Sequence, residues 1–321
     1  MRILALLIFV SLQIVFLPLA IVGVLLQTHR QMVRSKRLGV SQTGIEVLAG
    51  RWTMHIFGIR EDEATMRLAR VLPNFSGLGM WAVLFPIWVH ARLVGKPTLY
   101  PRVTEPGSED MRDLVTARTA YIDAYLKETL DNMEHVVLMG AGYDTRAYGE
   151  FRRDGQSFFE LDQTATQELK KKALADAGID TADTHFVSVD FQKNDAFERL
   201  VASGYDPSKK TLFLWEGVTL YLGEEDVRRT LRDMKNHSAP GSVIVADFYS
   251  TRMIAIGKKK AVKRTLEFTD EGFGFGIGFE RDHENRLKSF IESEGLTLDS
   301  TSFMGTISKK GPFMVVTEIR T

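Results

Sequence analysis

The run VVLMGAGYDTRAY, Val136 to Tyr148, constrains this chain more than any other stretch. Four apolar residues in succession, Val136 to Met139, suit a central strand covered on both faces. Gly140 and Gly142 follow at once, and without a Cβ each lets the backbone turn sharply and approach a ligand closely. The pattern predicts a buried strand, a glycine turn and a helix headed by Asp144 and Thr145. Such a corner is where open α/β sheets bind nucleotide-like ligands, at the carboxyl ends of their strands. Taken alone, the motif also reads as an ordinary strand-to-helix turn.

The downstream sequence extends the pattern. FFELDQ (residues 158–163) reads as a second strand ending in acids, about twenty residues after the glycines, where a carboxylate can accept from ribose hydroxyls. THFVSVDF (184–191) reads as a third strand ending in an acid, Asp190. TLFLWEGVTLYL (211–222) reads as a fourth, ending in Glu216 and Gly217. Helical stretches such as residues 164–177 separate them, so the expected fold is a doubly wound, mostly parallel α/β sheet. A lone terminal Asp is more often a helix cap than a ligand, but the repetition on one sheet edge favours a shared site. TLDSTSF and FMVVTEI read as the last two strands, an antiparallel hairpin closing the sheet.

The chemistry of the turn narrows the ligand. A dinucleotide fingerprint needs a third glycine and sets pyrophosphate on a helix N-terminus. Here Thr145 takes that place and Asp144 would oppose the phosphates; no Gly-Lys-Ser/Thr follows for a Walker loop. S-adenosyl-L-methionine has no phosphate and carries a cationic sulfonium, which an acidic turn suits. A nicotinamide reductase is the poorer enzyme reading, and a membrane scaffold of the same fold without activity is the reading from another class.

Taken together, GAGYDTRAY, ELDQ, SVDF and GYDPSKKTLFLWEGVTLYL resemble the leucine carboxyl methyltransferase family of S-adenosyl-L-methionine-dependent enzymes, nearest to its bacterial O-methyltransferase branch. The resemblance covers about two-thirds of the chain, from Val115 onward, and implies a Rossmann-like class I methyltransferase sheet. It implies that Gly140 and Gly142 line the methionine and ribose part of the cofactor. Asp162 would bind the ribose hydroxyls, and Asp190 with Phe191 the adenine. Glu216 and Gly217 would form the wall near the sulfonium, with Tyr221 facing the substrate. Arg118, in VTARTAYID, would pair with the cofactor carboxylate, which a bidentate, permanently charged guanidinium suits. Arg146 is expected to brace the glycine loop through Asp144. Of Phe273, Phe275 and Phe279, in a glycine-aromatic loop, the resemblance implies a place in the acceptor pocket. A helical segment over residues 41–70 would act as a lid, to which Arg51 could belong, with His55 packing on the core.

The N-terminal part departs from that family. Residues 3–26 carry no charge and are apolar on every face, and about twenty such residues cross a bilayer as a helix. A transmembrane anchor over residues 1–28 is the expectation, with a cleaved signal peptide as its rival. His29, Arg30, Arg34, Lys36 and Arg37 follow, which places that flank and the catalytic part in the cytoplasm. The absence of cysteine agrees with that side. Residues 77–94 form a second apolar stretch, broken by Pro86. Trp81 and Trp88 suit the headgroup level, so it is read as lying in the interface, with a second span as the alternative. Pro97 to Gly107 reads as a boundary, which gives a lid and membrane-associated region over 29–107 and a catalytic domain over 108–321.

The formal net charge of zero gives nucleic-acid binding no electrostatic support. The basic run Lys258–Lys260, with Lys263 and Arg264, reads first as a solvated helix face. No metal-ligand cluster stands out. The expected reaction is methyl transfer to an oxygen of a hydrophobic or lipid-like acceptor at the membrane; a protein carboxyl acceptor is the alternative. A carboxylate acceptor needs no general base. For a hydroxyl, Glu216, Tyr221, His237 and His283 are the candidates.

Overall fold

The computed structural model describes residues 2–102, 104–191, 196–257, 259 and 272–321. Six helices precede the sheet: α1 (Arg2–Thr28), α2 (Ser35–Leu38), α3 (Gln42–Ile56), α4 (Glu63–Val71), α5 (Gly77–Val94) and α6 (Leu114–Thr129). A six-residue π-helical stretch, His29–Arg34, joins α1 to α2. There follow β1 (His135–Met139), β2 (Ser157–Asp162), α7 (Thr164–Asp176), β3 (Thr184–Ser188), α8 (Ala196–Ala202) and β4 (Thr211–Trp215). The chain continues through α9 (Glu224–Asn236), β5 (Val243–Tyr249), α10 (Thr251–Gly257), α11 (His283–Ser293), β6 (Thr297–Met304) and β7 (Met314–Arg320).

The seven strands form one sheet in the order β3-β2-β1-β4-β5-β7-β6. β1 to β5 pair in parallel, and β7 is antiparallel to both β5 and β6. Strand residues alternate between two cores because successive side chains point to opposite faces. Val137, Phe159, Phe213 and Ile244 join one core with Val227, Leu231 and Leu287 of α9 and α11. Val136, Phe158, Leu212 and Val245 join the other with Ile122 and Leu126 of α6. The mixed α/β sheet is thus covered on both faces, as the continuous apolar runs require.

Strand order reverses between β1 and β4, which opens a crevice at their carboxyl ends. Two details there differ from the sequence reading. The glycine turn opens into a single 3-10 turn, Arg146–Tyr148, instead of a helix. Its residues are drawn inward: Thr145 Oγ1 donates to Asp62, and Arg146 Nε donates to Asp123 Oδ1 at 2.8 Å. α3 and α4 cover that position, where Leu48 and Leu68 pack with Tyr143 of the turn and Leu174 of α7. Secondly, β3 and β4 stop at Ser188 and Trp215, so Asp190 and Glu216 lie in the loops just beyond. β5, VIVADFY, is a further parallel strand that the sequence reading passes over.

At the N-terminus α1 and α5 lie side by side and antiparallel. Phe16 stacks on Phe85 with centroids 4.9 Å apart, and Phe9 meets His90 edge-on at 5.5 Å. Both helices are long and apolar enough to cross a membrane by length and composition. Of the basic run at 258–264, Lys258, Lys260, Lys263 and Arg264 lie outside the described residues.

Candidate functional site

The loops after β1, β2, β3 and β4 enclose a cavity of about 1140 Å³. Gly140, Gly142, Asp162, Asp190 and Phe191 line it from the first three strand ends. Glu216, Gly217 and Tyr221 line it from the β4 loop, and Arg118 reaches it from α6. The structure therefore brings these nine residues to one cavity. Arg51 of α3 lines it as well.

Its polar floor is a network of buried ion pairs. Arg51 Nη2 donates to Asp144 Oδ2 (3.0 Å) and Glu216 Oε2 (2.7 Å). Arg146 Nη1 donates to the same two carboxylates at 2.6 Å each. Arg118 Nε donates to Glu216 Oε1 at 3.1 Å, and its Nη1 reaches Asp247 Oδ2 at 3.2 Å and Tyr249 Oη at 2.6 Å. Arg60 ties Asp62 and Asp123 to the same cluster. Burial by itself pushes the Glu216 carboxyl up, but Arg51, Arg146 and Arg118 outweigh it and hold it down at about 2. Burial likewise pushes Asp144 up, and Arg146 with Arg51 takes it below the usual carboxylate range. Asp247 goes the other way: burial pushes it up to about 6, because Arg118 offsets only part of the cost.

At the ribose end, Asp162 Oδ2 accepts from the Gly142 N–H at 2.5 Å and Oδ1 from the Gln163 N–H at 2.7 Å. Burial raises its carboxyl in spite of those two donors. The turn also fixes Gly140 by sterics. Its φ is +75°, and a Cβ there would sit 2.4 Å from Val218 Cγ2. Gly140→Ala is expected to cost about 1–3 kcal/mol from the left-handed backbone alone, with the clash added. Gly140→Ala with Val218→Ala should recover only the clash, which chemical denaturation of the two variants measures.

Several expectations change on this geometry. With both oxygens of Glu216 engaged by three guanidinium groups, it serves as a charge hub, and the general-base reading is corrected. His237 and His283 do not line the cavity. His237 stacks on Phe197 at 5.1 Å and His283 meets Phe303 at 4.6 Å. Only Phe273 of the loop aromatics lines the cavity; Phe275 and Phe279 are 6% and 1% exposed in the sheet core. Arg146 braces the turn through Asp144, as expected. His55 is structural, its Nδ1 accepting from the Asp62 N–H at 3.0 Å. Sequence reasoning missed Asp247, Asp123, Arg60 and Asp62. The one local signal was an acid inside the apolar run VIVADFY.

The matching family model, that of leucine carboxyl methyltransferase, covers residues 81–235. A Mycolicibacterium smegmatis protein named as an inferred S-adenosyl-L-methionine-dependent methyltransferase is 30% identical over 194 residues, 59% of this chain and 63% of the relative. A second protein of that organism and name is 26% identical over 283 residues, 85% of this chain and 88% of the relative. A Mycobacterium avium protein of the same name is 34% identical over 142 residues, 44% of this chain and 46% of the relative. The first and third matches thus span under two thirds of the relatives' own lengths.

Proposed function

We propose that the chain is a member of the leucine carboxyl methyltransferase family, whose model matches residues 81–235, and that with S-adenosyl-L-methionine as its cofactor it methylates an oxygen of a hydrophobic acceptor at a membrane surface. The observation that carries the acceptor class is the extent of the cavity. Its volume, about 1140 Å³, exceeds the roughly 300–1,000 Å³ of a pocket for one ligand. Besides the strand-end residues its lining includes Met111, Met253, Ile256 and Phe273, together with Thr28 at the end of the apolar helix α1 and Met32 just after it. The polar strand-end lining suits a cofactor, and the apolar lining suits an acceptor.

The donor set fits the cofactor. Arg51 is 2% exposed and its Nε, beside the cavity, has no partner among the described residues. With Arg118 it offers cations for an amino-acid carboxylate. Asp162 offers oxygens for the ribose hydroxyls, and the Asp190–Phe191 pair an acceptor and a ring for the adenine. Asp144 and Glu216 give the surroundings of the sulfonium negative charge. When bound, S-adenosyl-L-methionine supplies a methyl group on a cationic sulfonium. The protein then has to hold the acceptor oxygen about 3 Å from that carbon, in line with the leaving sulfur, and exclude water.

A carboxylate acceptor is already ionised at neutral pH, so the site would work by positioning, with Tyr221 orienting the acceptor from the rim. The rate is then expected to be flat between about pH 7.5 and 9, above the titration of Asp247, and Tyr221→Phe to cost less than about ten-fold. A loss of about 10²–10⁴ with a rate rising with pH would mark Tyr221 as the base for a hydroxyl. The decisive assay incubates membrane-bound protein with methyl-labelled cofactor and acids of increasing chain length. Label released as methanol by alkali, from long-chain acids above short ones, supports the proposal; transfer confined to short, water-soluble acceptors contradicts it.

A further inference from the structure

We propose that α1 and α5 form a helical hairpin that lies within one leaflet of the bilayer and does not cross it. The proposal rests on the membrane association above and concerns its topology. The contacts run along nearly the whole hairpin. Gly23 and Gly79 bring the backbones together, since a Cβ on Gly23 would meet the Gly79 carbonyl at 2.6 Å. Phe16 with Phe85 and Phe9 with His90 continue the seam, which carries Val94 level with the first turn of α1. From Val94 the chain is six residues from Tyr100, whose ring packs against the α3–α4 core. Six extended residues reach roughly 20 Å, against a hydrocarbon core of about 30 Å. The far end of the hairpin therefore cannot lie across the bilayer from the body. α1 is bound to the same limit by its seam with α5.

The layers are graded as an in-plane arrangement requires. Trp81 of α5 meets Trp52 of α3 at 5.8 Å, while Phe85 of α5 faces α1, so α5 lies between the body and α1. α1 turns its other side outward, with Ile3 78%, Ile14 69% and Leu25 65% exposed. An apolar face of that length is far beyond scattered surface residues and marks an interaction site. Charge selects lipid over a second copy. Residues 1–45 and 72–104 contain no Asp or Glu, yet carry Arg30, Arg34, Arg37, Arg92 and Lys96 at the helix ends. That is the complement of anionic headgroups. Trp81 and Trp88 then fall at headgroup depth, with α1 below them.

The chain has no cysteine, so single-cysteine variants report topology without background. Ile3→Cys, Lys96→Cys and Lys309→Cys, each with the wild-type thermal midpoint, are expressed as the full chain and recovered in sealed membrane vesicles of either orientation. An impermeant maleimide is expected to label Lys96→Cys in the same orientation as Lys309→Cys on the body. Ile3→Cys should label only in that orientation, or in neither because lipid covers it. Ile3→Cys labelled only in the opposite orientation would establish a span and overturn the proposal. So would Lys96→Cys labelled in the opposite orientation or in neither. Recovery of the protein as a soluble oligomer, without membranes, would instead sink the membrane reading itself.

Discussion

Glu216→Gln is expected to lower the stability of the folded protein by about 3–5 kcal/mol. The substitution keeps shape and volume and removes one buried negative charge. Arg51, Arg118 and Arg146 all donate to that carboxylate, and each is 4% exposed or less at its side chain. Asp144 and Asp247 cannot replace it, since Asp144 already serves two of these arginines and Asp247 is pushed up by burial. Three desolvated cations would then share too little compensating charge. For a domain of this size the loss corresponds to a fall of roughly 10 °C in thermal midpoint. The pH dependence carries a sign. Glu216 is depressed from its ordinary 4.5 to about 2 in the folded state. Its contribution is thus complete above the unfolded value and lost as pH falls through the folded one. The gap between wild type and variant should be full at pH 7 and close between about pH 4.5 and 2. Thermal melts across that window measure it; a gap independent of pH would argue that Glu216 acts through packing.

Asp162→Ala is expected to weaken S-adenosylhomocysteine binding by at least about 100-fold with a much smaller effect on stability. Two charge-assisted hydrogen bonds to ribose hydroxyls are worth about 1.5–3 kcal/mol each, and every 1.4 kcal/mol is ten-fold in affinity. Stability changes less because two effects oppose each other. Burial already raises the Asp162 carboxyl, so its removal relieves a desolvation cost. Against that, the N–H groups of Gly142 and Gln163 lose their acceptor. Asp162→Asn separates the two, since an amide oxygen still accepts from the turn but no longer offers a charged acceptor to both hydroxyls.

How far the site could be read from sequence follows from the range of the interactions that build it. Gly140, Asp162, Asp190 and Glu216 were legible because each closes or follows a strand, and a parallel sheet collects its carboxyl ends on one edge. The identity of their partners was not. Thr145 bonds Asp62, 83 residues away, and Arg51 bonds Glu216, 165 residues away. Those tertiary pairs pull the Asp144–Arg146 segment inward, which is why the helix expected after the glycine turn does not form. Asp247 lies in the interior of VIVADFY, where a sequence offers no sign that one side chain of a buried strand meets an arginine from another helix. Phe273, Phe275 and Phe279 share one glycine-aromatic pattern, yet only their packing separates the cavity residue from the two in the core. Hydropathy announced α1 and α5 separately; the Gly23–Gly79 seam that joins them has no local signature.

Calorimetric titration of the purified protein with S-adenosylhomocysteine, beside Asp162→Ala, bears most directly on the claim that the strand-end cavity holds the cofactor. Micromolar binding by the wild-type chain, lost in a variant that melts at a similar temperature, is the predicted result. No binding by folded wild-type protein, or equal binding by both, would contradict it.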